Sequence, residues 1–76
     1  MGIKPLDIFF IDSLKGWALA SSGGVYKTSN AGNSWNLIHL DEGVISEKIV
    51  FINPEVGYKT GGILKKSTDG GFNWFN

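Results

Sequence analysis

The sequence predicts an all-β fold made of two copies of one four-stranded unit. Three observations carry this. Short runs rich in β-branched and aromatic residues are separated by Gly, Asn, Asp and Ser. An eight-residue turn segment ending in tryptophan occurs twice, as Thr28 to Trp35 and as Ser67 to Trp74. The copies also keep a nearly fixed offset: Phe10 to Phe51 and Gly16 to Gly57 lie 41 positions apart, Gly32 to Gly71 and Trp35 to Trp74 lie 39 apart. Ile8 with Ile49, Ile11 with Ile52, Gly23 with Gly62 and Lys27 with Lys66 are further identical pairs, and the two unmatched positions fall near Ser21-Ser22.

Leu6 to Ile11 is an apolar run stopped by Asp12-Ser13 and reads as a buried strand. Lys15-Gly16 turns the chain into Trp17-Ala18-Leu19-Ala20, whose small residues suit a crowded interior. Ser21-Ser22-Gly23-Gly24 ends that strand, and Val25 to Thr28 is the third. After the first turn segment, Trp35 to His39 alternates into a fourth, and Asp41-Glu42-Gly43 breaks the pattern. The cycle restarts with Glu47 to Ile52, ended by Asn53-Pro54 because proline lacks a ladder amide. Gly57 to Thr60 and Ile63 to Lys66 follow, and the second turn segment leads to a fourth strand clipped to Trp74-Phe75-Asn76.

In Ser67-Thr68-Asp69-Gly70-Gly71-Phe72-Asn73-Trp74, the short Asp69 carboxylate can accept backbone N–H groups two or so residues on, and Gly70-Gly71 can take positive φ. The stretch therefore encodes a tight turn and needs no substrate. Four short strands repeating at about 40 residues are the signature of a β-propeller blade, which buries its faces on its neighbours. The single module of 76 residues divides into blade one over about 6–40 and blade two over about 47–76. Each blade has antiparallel strands and a turn-segment hairpin between strands three and four.

Ser67, Asp69, Gly71 and Trp74 together resemble the Asp-box, also called the bacterial neuraminidase repeat, and Thr28, Asn30, Gly32 and Trp35 resemble it with Asn30 in place of the aspartate. That family includes sialidases and other propeller glycosidases, sortilin-type receptors and photosystem II stability/assembly factors. The phrase Gly16-Trp17-Ala18-Leu19 ahead of Gly23 to Thr28 looks most like the last group. The resemblance implies the blade fold, with the box as a structural hairpin, and says little of function.

A chain of this length buries only about 60% of its unfolded surface. With no Cys and one His, disulfides and metals are nearly closed as sources of stability, so association remains. Three or four chains would give six or eight blades, within the usual range of about four to eight. The clipped strand could then be completed by a neighbour's Gly2 to Leu6. The rival expectation is that the remaining blades belong to a larger propeller.

Seven lysines, no arginine and seven acidic residues leave zero net charge, which argues against nucleic acid as a partner. No signal peptide or membrane-length apolar run is present, so no membrane is expected and the compartment is left open. A sialidase needs an arginine cluster, so an autonomous enzyme of that kind is not expected, and no catalytic, cofactor or metal residues are assigned. His39 lacks ligand-type neighbours, and Asp41-Glu42 reads as a solvated pair. Trp17 and Tyr58 occupy equivalent positions and are the candidates for stacking on a ligand, though inter-blade packing is favoured for them. The expected function is a non-catalytic binding or assembly scaffold for a protein partner. Its alternative is a carbohydrate-binding module or a fragment of a sialidase-like glycosidase.

Overall fold

The computed structural model describes residues 4–41 and 46–76. They form seven strands in chain order: β1 (Pro5–Phe10), β2 (Gly16–Ala20), β3 (Gly24–Thr28), β4 (Asn36–Leu40), β5 (Lys48–Phe51), β6 (Gly57–Thr60) and β7 (Lys65–Ser67). Two antiparallel meanders result, one ordered β1-β2-β3-β4 and one β5-β6-β7. After β7, Lys66 and Phe75 make an isolated antiparallel bridge, with paired backbone bonds of 2.7 and 2.8 Å. That bridge stands where the first sheet has β4.

The repeat in sequence is a repeat in register. Phe10 faces Gly16 and Trp17 faces Lys27 in the first sheet, just as Phe51 faces Gly57 and Tyr58 faces Lys66 in the second. In both, the phenylalanine ring lies over the glycine: a Cβ on Gly57 would stand 2.6 Å from the Phe51 ring, and one on Gly16 would stand 2.8 Å from that of Phe10. A side chain there would push the ring off its strand.

Side chains alternate between faces along a strand, so β1 and β2 send Phe9, Trp17 and Leu19 toward the second sheet, and β5 sends Ile49 and Phe51 back. Together with Val25 and Trp74 these residues form the core, and Phe9, Ile11 and Ile38 pack against it. Full burial of each such side chain contributes roughly 1.5–3 kcal/mol. Either sheet alone would leave this face wet, so the two stabilise each other.

β1 is not the buried strand that its composition suggests. Leu6, Ile8 and Phe10 are exposed, and Asp7 and Phe9 are half-buried on the inner face. It is an edge strand whose apolar residues serve two faces, while β2, flanked by β1 and β3, is buried throughout. Asp7 uses its inner position to accept the Ile49 N–H through Oδ2 at 2.9 Å, joining the first strands of the two sheets. β7 begins two residues later than the run Ile63 to Lys66 suggests, leaving Ile63 and Leu64 exposed in the preceding loop. Gly2 and Ile3 of the suggested exchange strand, and Glu42, lie outside the described residues. Pro5 and Leu6 belong to the chain's own β1, so they are not free to complete a neighbour's sheet.

Candidate functional site

The two turn segments are built on one plan. In the second, Ser67 Oγ accepts the N–H of Gly71 at 2.9 Å and donates to Asp69 Oδ1 at 2.9 Å. The same Oδ1 accepts the N–H groups of Phe72 and Asn73, and Oδ2 accepts the Asn73 side-chain amide at 2.7 Å. These donors, the Asn73 backbone N–H foremost, hold the Asp69 carboxyl down to about 2. In the first segment Thr28 Oγ1 accepts the Gly32 N–H at 3.0 Å and donates to Asn30 Oδ1, which accepts the Ser34 N–H. Asn30 Nδ2 then donates to Ser34 Oγ at 2.7 Å, so an uncharged acceptor is matched by a hydroxyl partner.

Each segment is pinned to the turn that precedes its sheet's second strand. Asp12 Oδ1 accepts the N–H groups of Leu14 and Lys15, and Asn53 Oδ1 accepts those of Glu55 and Val56. The carbonyls of Leu14 and Glu55 then take the N–H groups of Ala31 and Gly70, both at 2.9 Å. The closing tryptophans also match. Trp35 meets Phe10 edge-on at 5.9 Å and 76°, and Trp74 meets Phe51 at 6.0 Å and 78°. Trp74 is buried and donates Nε1–H to the Gly71 carbonyl, whereas Trp35 is half-buried on the outer face.

Trp17 and Tyr58 part company here. Trp17 is fully buried and stacked on Phe51, centroids 3.6 Å apart and planes 7° from parallel, and its Nε1–H donates to the Gly70 carbonyl at 2.9 Å. No face of the indole is open to a ligand, which corrects its candidacy as a stacking platform. Packing between the sheets has consumed it. Tyr58 is half-buried on the outer face of the second sheet, with Lys66 Nζ 5.8 Å from its ring centroid.

At the seam, His39 Nδ1 lies 2.9 Å from the Phe72 carbonyl. A carbonyl only accepts, so Nδ1 carries the proton. Asp41 takes Lys65 at 2.8 Å and the buried Lys59 at 3.5 Å on one carboxylate oxygen. The Lys65 bond holds the Asp41 carboxyl below its ordinary value, and burial pushes the Lys59 ammonium down. Asp41 is therefore an inter-sheet ion-pair partner rather than a solvated carboxylate. Sequence reasoning missed this because Lys59 and Lys65 lie a whole sheet away in the chain.

The same seam carries an open groove of about 440 Å³, lined by Lys27, Asn36, Leu37, Ile38 and Phe72 with the first turn at its end. Lys27 Nζ stands 5.9 Å from the centroid of the Phe72 ring, which is half exposed. Leu37, Ile38 and Phe72 make its lining largely apolar, and Lys27 and Asn36 add one cation and one amide. The exposed aromatic inside a polar turn is the sequence signal that could have drawn attention to it. Among the described residues, no three His, Cys, Asp or Glu side chains gather to hold a metal ion, and no helix is long and apolar enough to cross a membrane. No family model, curated protein or solved structure matches the chain.

Proposed function

We propose that the chain is a pair of adjoining β-propeller blades of the Asp-box type, working as a non-catalytic binding or assembly scaffold that self-association closes. The observation behind this reading is the identical register of the two sheets, stacked face to face with their outer apolar faces left open. Repeats of this kind bury such faces on further repeats. Three or four chains would supply six or eight blades.

The seam groove, largely apolar with one cation in its lining, suits an extended peptide with an acidic residue. Candidate chemistry is engaged elsewhere: the hydroxyls of Thr28 and Ser67 are held inside their turns, and His39 Nδ1 is bound to a carbonyl.

Light scattering on the purified chain tests the reading. A mass of three or four times the 8.3 kDa of one chain is expected, and a folded monomer at all concentrations would overturn the closure by self-association. A second reading, carbohydrate binding, is favoured by one observation: the half-exposed Phe72 ring beside Lys27 and Asn36. Saturable, selective binding on a glycan array, lost in Phe72→Ala with the fold intact, would put that reading first.

A further inference from the structure

The two outer faces are complementary to each other in a way fixed by the repeat. Toward the second sheet, the first presents Phe9, Ile11, Trp17, Leu19 and Val25. At the 41- and 39-residue offsets these become Val50, Ile52, Tyr58, Thr60 and Leu64; Val50 and Tyr58 are paired on the outer face of the second sheet, and Val50 is 47%, Ile52 67% and Leu64 60% exposed. The second sheet receives that contact on Ile49 and Phe51. Their counterparts Ile8 and Phe10 lie on the far side of the first sheet, 43% and 39% exposed. One end of the chain thus carries a copy of the donor face, and the other end a copy of the acceptor face.

Resting on the proposed self-association, we infer that the occupant of each open face is a second copy of this chain, docked head to tail in the register of the internal contact. Tyr58 of one copy stacks on Phe10 of the next, as Trp17 stacks on Phe51 within the chain. Lys66 accompanies Tyr58 as Lys27 accompanies Trp17. The Tyr58 hydroxyl takes the place of the Trp17 indole N–H, and the carbonyl it meets is that of Ala31, the counterpart of Gly70. Some internal bonds have no equivalent: Lys48 stands where Asp7 would, so the N–H of Ile8, the counterpart of Ile49, finds no carboxylate across the new interface, and Ala18 and Tyr26 stand where Lys59 and Lys65 meet Asp41. The contact between copies is accordingly weaker than the contact within one. Because the two mating patches differ, the association is heterologous and closes into a ring or extends as a filament according to the angle between sheets.

Sedimentation of three variants tests this. Tyr58→Asp spoils the donor face only; Phe10→Asp spoils the acceptor face only, and Ile8→Asp repeats that test without disturbing the Phe10–Trp35 contact. Each variant, with a native β circular dichroism spectrum, should associate at least about tenfold more weakly than the unsubstituted chain. An equimolar mixture of Tyr58→Asp with Ile8→Asp should form a two-chain species and nothing larger, since only one good donor and one good acceptor meet. If the unsubstituted chain assembles and the folded variants assemble equally well, the register is overturned while the scaffold reading stands. If Tyr58→Asp alone is impaired, like faces mate and the inference also fails. A monomeric unsubstituted chain would remove the self-association on which both depend.

Discussion

Trp17→Phe isolates one bond in the joint between the sheets. Phenylalanine keeps a ring over Phe51, where the indole now sits at 3.6 Å, but has no N–H for the Gly70 carbonyl at 2.9 Å. A buried acceptor left without its donor costs about 1–3 kcal/mol. Trp17→Ala removes the ring as well and should cost about 3–5 kcal/mol. At about 0.05–0.15 kcal/mol per residue, a chain of this size has roughly 4–11 kcal/mol in hand, so the alanine variant should lose a large share of its stability. Urea and thermal denaturation followed by far-ultraviolet circular dichroism, at one fixed chain concentration, measure both. Each kcal/mol lost should lower Tm by about 4–8 °C. Trp35→Phe, at the half-buried counterpart of Trp74, is the comparison and should lose less than Trp17→Phe. If Trp17→Ala cost under about 1 kcal/mol, well below the usual cost of emptying a core site, the sheets would not be held together by this stack.

Other outcomes follow from the seam and the turns. Gly71→Ala should cost about 1–3 kcal/mol, because φ is +99° and the new Cβ would stand 3.1 Å from Ile38 and 3.2 Å from the Trp17 indole nitrogen. Gly62→Ala, at φ +107° with open space around it, should lose less, and equal losses by chemical denaturation would refute the packing part. The Asp69 carboxyl, held at about 2 in the folded chain against an ordinary 3.8, contributes stability that is complete above 3.8 and is lost as pH falls toward 2. Acid unfolding of Asp69→Asn should therefore be flatter across that window, and an unchanged slope would contradict the turn's charge-assisted bonding. Asp41→Asn strands the buried Lys59 and should cost about 1–3 kcal/mol. Adding Lys59→Met should restore most of the loss in denaturant titrations, and failure to do so would separate Lys59 from Asp41.

What was legible in the sequence is what is local or repeated. The Ser67–Asp69 and Thr28–Asn30 turns are closed by residues within four positions of one another, so their chemistry can be read from the string. The constant offset likewise carried the strand order, because two copies sharing one register must share one topology. The residues that join the sheets were not legible. Asp7 with Ile49, Trp17 with Gly70, and Asp41 with Lys59 pair across a sheet boundary, and no pattern of neighbours announces them. Five of the six residues from Leu6 to Ile11 are apolar, which suggests a buried strand, yet composition does not tell which face of an edge strand a partner covers. Trp17 and Tyr58 are equivalent in sequence and opposite in fate for one reason: only Trp17 has another sheet in front of it.

Proton NMR of the intact chain would probe the stacking of the two sheets most directly. Close contacts between the indole protons of Trp17 and the ring of Phe51 should appear, alongside the edge-on pairs Phe10 with Trp35 and Phe51 with Trp74. Retention of the two edge-on pairs without any Trp17–Phe51 contact would mean that the units fold but do not stack, contrary to the arrangement described.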